Sequence, residues 1–330
     1  MNKSSDTDSL FFYGLGHCLV DFFVTEVEDE EFEKIYKKSP LHLENQDFSE
    51  LFKSFSPRIK KAGGTTVNIL KTLSKLGGKC FFSGSTGTFA SKRDDNALFF
   101  QREMASHGIE SQLFSQEGRT GCFLSVYNKK GEKAIAVHVG AAKKIEVSQL
   151  NEIRFAHCDC FIMEGMQFLN DVLIEQIMDY SFRYNVPIAI DCGSTFGAKA
   201  VGKKLADVGQ SLDIILFANE NEAKALKEIE NNPEKYCKIY IETLGDKGSI
   251  AFFEGNKFDQ RAYLQEDTRN NSILGFLEDT GAGDAFAGAF LYTLFSHSKN
   301  ILLDLSFEVI ERAMNFASKE AFFAMSDFGL

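Results

Sequence analysis

Leu277-Glu278-Asp279-Thr280-Gly281-Ala282-Gly283-Asp284-Ala285-Phe286 runs a glycine loop straight into an apolar helix. Glycines let the backbone approach a ligand closely, and the N–H groups of a helix's first turn lack intrahelical partners. With the helix dipole behind them, those groups make an anion site. Asp284 stands at the same helix start. A carboxylate there repels a resting phosphate, so it reads in two ways. It is a general base for an attacking hydroxyl, or an acid that simply stabilises a helix N-terminus. The loop is not a Walker-type P-loop, because no GxxxxGK[ST] motif occurs. Gly14-Leu15-Gly16 has no third glycine or helix behind it, which disfavours a dinucleotide-binding dehydrogenase.

Outward from this loop, short apolar runs alternate with amphipathic stretches. Leu10 to Leu19, Lys79 to Ser83, Asp159 to Met163, Val186 to Ile190, Asp213 to Ala218 and Lys238 to Thr243 read as strands. Helices are expected over Val67 to Leu76, Asn96 to Ser106, Asp171 to Tyr184, Glu220 to Ile229, Gly283 to Phe295 and Phe307 to Ala324. Strand–helix alternation implies right-handed crossovers and a mostly parallel sheet covered by helices. Arg119 to Gly140 differs: it reads as two alternating strands around the turn Asn128-Lys129-Lys130-Gly131. A hairpin of that kind implies a lid on the main sheet, with Phe22 to Val27 as a further strand of it. Lys37 to Ser56 is polar and reads as surface helix and loop, and Asp94-Asp95 as a solvated helix start. The expectation is a single domain over residues 1–330, with a lid from about 17–30 and 108–141.

The chain has 330 residues, 36 Lys and Arg against 47 Asp and Glu, and a net charge of −11. An acidic balance counts against nucleic acid or an anionic membrane as partner, since phosphate binding needs clustered positive charge. No apolar run is long enough to cross a bilayer. The start, Met1 to Ser9, lacks the layout of a signal peptide, so a cytoplasmic protein is expected. Seven scattered cysteines without a CxxC pair predict neither a disulfide framework nor a zinc site.

The loop and the helix that follows, through Ala287-Gly288-Ala289-Phe290, resemble the C-terminal signature of the ribokinase-like (PfkB-type) carbohydrate kinases. Ala62-Gly63-Gly64-Thr65-Thr66-Val67-Asn68, with Leu76-Gly77-Gly78 after it, resembles their N-terminal signature. Between the two, Asn219-Glu220-Asn221-Glu222 is similar to the NxxE motif, and Thr243-Leu244-Gly245-Asp246-Lys247-Gly248 to the nucleotide-side glycine loop. Gly14-Leu15-Gly16-His17-Cys18-Leu19-Val20-Asp21 resembles the opening strand of the adenosine-kinase-like branch, with His17 where that branch usually has Asn. Glu164-Gly165-Met166 resembles its Glu-Gly-Tyr element with Met in place of Tyr, and Gly131 to Ala142 its lid hairpin.

The resemblance implies an α/β ribokinase-like fold, a central mostly parallel sheet flanked by helices with a small β lid. It implies ATP and Mg²⁺ as cofactors, with a monovalent cation as a further candidate. The partner is a small-molecule sugar or nucleoside, bound by a monomer or homodimer. Asp284 is then the base, with Gly281, Ala282 and Gly283 as the anion hole. Asp21, Gly63, Gly64 and Asn68 bind acceptor hydroxyls, and Phe123 stacks on a base. Without the glycine pair, Asn68 reads as an exposed helix residue and Asp21 as an ordinary loop acid. Lys133 is a phosphate clamp or a solvated turn charge. Asn219 is a helix cap or, with Glu222, holds Mg²⁺ through its waters. Thr243, Gly245, Gly248 and Asn315 fall on the nucleotide side. The expected reaction is transfer of the γ-phosphate to a hydroxymethyl group, an adenosine-like nucleoside being favoured. The rivals are a kinase of free ribose or fructose and a non-catalytic binding protein on the same fold.

Overall fold

The computed structural model describes residues 9–57, 59–209, 212–263, 281–297 and 305–326. The polar start 1–8 and the Leu277 to Thr280 part of the glycine loop lie outside the described residues. In chain order the first elements are β1 (Phe11–Leu15), β2 (Leu19–Val27), α1 (Asp29–Tyr36), β3 (Leu41–His42), α2 (Asn45–Lys53), β4 (Ile59–Gly63) and α3 (Thr65–Lys75). Then come β5 (Lys79–Phe89), β6 (Lys92–Arg93), α4 (Asp95–Ser106), β7 (Ile109–Glu117), β8 (Gly121–Asn128) and β9 (Lys133–His138). The second half adds α5 (Glu152–His157), β10 (Cys160–Glu164), α6 (Asp171–Tyr184), β11 (Ile188–Asp191), α7 (Thr195–Gly202), α8 (Leu205–Gly209), β12 (Ile214–Asn219), α9 (Glu220–Lys227) and β13 (Ile239–Thr243). The last are β14 (Ser249–Phe253), β15 (Asn256–Gln260), α10 (Ala282–His297) and α11 (Phe307–Ser326).

Ten strands form one sheet in the order β15-β14-β13-β12-β11-β10-β1-β5-β6, with β7 on β5. From β13 through β1 to β5 and β7 every pairing is parallel. Successive side chains of a strand point to opposite faces, and both faces are apolar here. Phe12, Phe82, Ile162 and Ile215 meet α3, α10 and α11 in one core. Tyr13, Phe81, Phe161 and Ile190 enter a second core with α6, α7 and α9. A sheet buried on both faces needs such continuous apolar runs, and the expected helix-flanked sheet is present.

A second sheet has the order β3-β9-β8-β2-β4. Its Val20, Phe22, Leu124, Val126 and Ala136 face is covered by Phe32, Ile35 and Phe48 of α1 and α2. The polar stretch 37–56 thus contains a helix whose few apolar residues seal this sheet.

Two expectations change. Leu10 to Leu19 is not one strand: Gly16-His17-Cys18 leaves the large sheet and feeds β2 of the small one. A side chain at Gly16 would sit 2.5 Å from Glu164 Oε1, so the chain turns there around a carboxylate. The expected lid range 108–141 also includes β7, which instead pairs with Cys80 to Gly87 of the large sheet, while Leu41–His42 and Ile59–Gly63 join the small one. Asp94 is more than a solvated helix start: its carboxylate accepts Ala97 N–H, Thr120 N–H and Thr120 Oγ1–H at 2.7, 2.7 and 2.6 Å. All seven cysteines are free thiols. No described helix is long and apolar enough to cross a membrane.

Candidate active site

The parallel strands end on one edge, the place where open α/β sheets take ligands. Leu15, Glu164, Asp191, Asn219 and Thr243 are the last residues of neighbouring strands and stand in a row there. α10 starts above this row. Gly281 precedes it with φ 90°, a conformation that favours glycine, and Ala285 N–H closes the first turn on Gly281 O at 2.8 Å. A side chain at Gly283 would meet open space, so this helix start is approachable.

Asp284 lies in that first turn, and Asn68 Nδ2 of α3 donates to its Oδ2 at 2.8 Å. Burial pushes the Asp284 carboxyl up to about 7; the Asn68 hydrogen bond opposes this, and the charges of Glu164 and Glu222 add to it. A carboxyl that exchanges its proton near neutral pH is suited to general acid–base work.

Asp21 is 7 % exposed and lies over the glycine pair: a side chain at Gly63 would meet Asp21 Oδ2 at 2.0 Å. Gly64, at φ 103°, begins α3. Phe123 pairs with Asp21 across β8 and β2, so both share the small sheet's open face. A cavity of about 280 Å³ runs past Asp21, Phe23, Asn68, Lys71 and Gly281. A larger cavity, about 760 Å³ between Phe22, Phe48, Lys60 and Asp95, lies on the other face of the small sheet. It contains none of the expected site residues, whereas Asp21, Asn68 and Gly281 line the smaller one.

Asn219 caps α9: its Oδ1 accepts the Asn221 and Glu222 N–H at 3.1 and 3.0 Å, and Glu222 Oε2 accepts Asn219 N–H at 2.9 Å. Glu222 is 6 % exposed, and burial raises its carboxyl despite the Asn219 hydrogen bonds. Asp191 is pushed well above the carboxylate range by burial first, then by Glu222 and Asp284. Buried acids that repel one another are a setting a divalent cation relieves. Thr243 ends β13, and Gly245 and Gly248 follow with φ 61° and 105°. A side chain at Gly245 would meet open space, whereas one at Gly248 would strike Gln260 O at 2.0 Å.

The structure thus gathers Asp284, Asn68, Gly281 to Gly283, Glu222 and Asp191 at one edge, with Asp21, Gly63 and Gly64 beside them. It does not bring Lys133 there. Lys133 pairs with Tyr127, four residues along the hairpin from the Phe123–Val137 pair, about 13 Å at the usual rise. Its Nζ sits 5.8 Å from the Tyr127 ring centroid. Asn315 is exposed on α11. Sequence reasoning left Asp191 and His17 without roles. Both stand at the ends of large-sheet strands, which is the signal that marks them.

A family model for pfkB family carbohydrate kinases matches residues 57–329. An ATP-dependent ribose-1-phosphate kinase of Halopiger xanaduensis is 23 % identical over 265 residues, 78 % of this chain and 78 % of that protein. A probable fructokinase-5 of Arabidopsis thaliana is 22 % identical over 256 residues, 72 % of this chain and 74 % of that one. Among solved structures, the adenosine kinase of Sinorhizobium meliloti superposes with a TM-score of 0.78 at 18 % identity, covering 97 % of this chain and 95 % of its own.

Proposed function

Because the chain belongs to the pfkB family of carbohydrate kinases, we propose that it transfers the γ-phosphate of ATP to a hydroxymethyl group of a nucleoside, with Asp284 as the base. The observation that carries the reading is Asp284 itself. It sits in the first turn of a glycine-led helix, accepts from Asn68, and titrates at about 7. In its ionised form it takes the acceptor's proton as the phosphoryl group arrives. The free N–H groups at the start of α10 meet the charge that develops on that group. Asp21 and the backbone at Gly63-Gly64 hold the acceptor's hydroxyls, and Phe123 offers a face to its base. Glu222 and Asp191 fit a Mg²⁺ held through water, which when bound neutralises phosphate charge. The small sheet excludes water from the transfer.

The nucleoside assignment draws on the Asp21 strand, the Gly63 to Asn68 turn and Phe123 on the open face of the small sheet. A second reading has an observation of its own: the similarity to a ribose-1-phosphate kinase favours a sugar phosphate acceptor. The test is kcat/KM for adenosine, inosine, ribose, fructose and ribose 1-phosphate under one set of conditions. The nucleosides are expected to lead. A sugar or sugar phosphate ahead by more than about tenfold, roughly 1.4 kcal/mol in transition-state binding, discards the nucleoside. No ADP release with any acceptor favours a binding protein instead.

A further inference from the structure

The cavity of about 760 Å³ on the far side of the small sheet has no part in the phosphoryl transfer described above. Side chains of β2 and β4 alternate between the two faces. Asp21 and Lys61 pair in register and face the acceptor cavity, whereas the next pair, Phe22 and Lys60, faces this one. Its walls come from both sheets: Phe48 and Phe52 of α2 on the small-sheet side, the end of β5 and the start of α4 on the other. The Phe22 and Phe52 ring centroids lie 4.8 Å apart, edge to face, and Phe52 stacks on Phe48 at 5.8 Å. The volume suits one small organic molecule.

Two cations meet that aromatic wall without an anionic partner among the described residues. Lys60 Nζ sits 4.3 Å from the Phe99 ring centroid and 5.4 Å from that of Phe22, and makes no ion pair or hydrogen bond there. Burial lowers its pKa, against the charges of Asp95 and Asp94. The Arg119 guanidinium, half-buried, has neither an ion pair nor a hydrogen bond among the same residues. The acids of the lining are engaged elsewhere or solvated. Asp94 takes the three donors already named, and Asp95 and Glu117 are exposed. Beside them the two-residue β5–β6 turn, Ala90-Ser91, has φ 48° and 63°. Such a mirror-image turn favours Asn-Gly, and this one holds Phe89, 84 % exposed, at the rim.

We infer that this cavity is a second small-molecule site, built for a flat aromatic carboxylate whose ring lies against Phe22 and Phe52 and whose carboxylate meets Lys60 and Arg119. A guanidinium offers a carboxylate two parallel N–H donors, and an ammonium serves as a point charge beside it. A phosphate dianion fits less well. Three carboxylates line the cavity against two cations, so a second negative charge on the ligand is repelled. The occupant touches both sheets at once. It therefore fixes the small sheet, which carries Asp21 on its other face, against the large one.

The probe is 2-naphthoate, with 2-naphthamide as its neutral counterpart and 2-naphthyl phosphate as the dianion, each titrated calorimetrically into the full chain. The acid is expected to bind about tenfold or more tightly than either. Lys60→Met keeps an apolar stem over Phe22 and Phe99, and Arg119→Met keeps an unbranched stem. Each should weaken the acid about tenfold and leave the amide within about threefold. Hydrogen exchange should slow at 88–96 and 118–122, and not at 282–285, when the acid binds. The proposal is overturned by the absence of saturable binding, by an amide that binds as well as the acid, or by undiminished binding to folded Lys60→Met and Arg119→Met. Protection at 282–285 in place of 88–96 overturns it as well, and needs no variant. Naphthyl phosphate bound as tightly as the acid overturns the monoanion part. None of these readouts uses ATP or turnover, so loss of the kinase reading and loss of this one are separable.

Discussion

Asn68 on α3 and Asp284 in the first turn of α10 lie 216 positions apart in the chain and share a hydrogen bond of 2.8 Å. The amide donates to the ionised carboxylate and so favours it, against burial and against the charges of Glu164 and Glu222. The outcome, about 7, leaves Asp284 part ionised at neutral pH. A base with a lower pKa is ionised more often but takes a proton less readily.

Asp284→Asn keeps the shape of the side chain and removes the base. kcat is expected to fall ~10²–10⁴-fold with acceptor affinity nearly unchanged. In the wild type, kcat/KM should rise as pH passes about 7, the free-enzyme value of the carboxyl. A variant with more than about a tenth of wild-type kcat removes Asp284 from the role.

Asn68→Ala tests whether the amide tunes the base. Loss of a hydrogen bond to a charged group, about 1.5–3 kcal/mol, corresponds to roughly one to two pH units. The acid limb of kcat/KM should move upward by about that much, with activity lost at pH 7 and largely restored at pH 9. An unmoved limb with a raised acceptor KM would make Asn68 a binding residue only.

The same carboxyl should cost stability. Its folded value, about 7, lies above the ordinary value of 3.8. The native state therefore binds more protons than the unfolded state between those pH values, and stability falls as pH rises through them. Asp284 is partly exposed, which brings the penalty to about 1–3 kcal/mol. Asp284→Asn should therefore be more stable than wild type at pH 8 by about that amount, with the gain fading toward pH 4. Urea melts at the two pH values decide it; equal gains at both would assign the effect to something other than charge.

The start of α10 at Ala282 to Asp284 and most of the large sheet are legible in the sequence because their causes are local. α6 spans the Asp171–Tyr184 range that its apolar spacing predicts, closed by the Asn170 cap and by Asn185 at φ 52°. The break between β1 and β2 was not legible, because its cause is Glu164, 147 positions from His17. β7 falls inside the expected lid range 108–141 by position alone, without a strand reading of its own; its pairing with β5 places it in the large sheet. For Lys133 the turn itself gives a solvated charge and only the family resemblance a phosphate clamp; the hairpin register sets it four residues from the Phe123 row. The contacts of His17 with Glu164, backbone N–H to Oε1 at 3.0 Å and Nδ1 to Oε2 at 2.7 Å, are tertiary and no spacing encodes them.

Gly63→Ala separates the acceptor side from the nucleotide side without removing a polar group. A methyl group there would lie 2.0 Å from Asp21 Oδ2 and 2.3 Å from its Cγ. Contacts that short are not tolerated, so either the Asp21 carboxylate or the end of β4 has to move. Gly63 ends β4 directly before Gly64, so a shift there displaces the acceptor's floor together with Asp21. Asp21→Ala leaves the floor and removes only the carboxylate. Both variants should raise acceptor KM by about tenfold or more, roughly 1.4 kcal/mol, with ATP KM changed less than about twofold. Gly63→Ala should also lower kcat, because the backbone that orients the hydroxymethyl group has moved. Circular dichroism and a thermal melt confirm that each variant is folded. An unchanged acceptor KM in folded Gly63→Ala would place the sugar elsewhere than on the Gly63-Gly64 turn. An ATP KM that rises as much as the acceptor KM would mean that the turn supports the whole cleft and not one substrate.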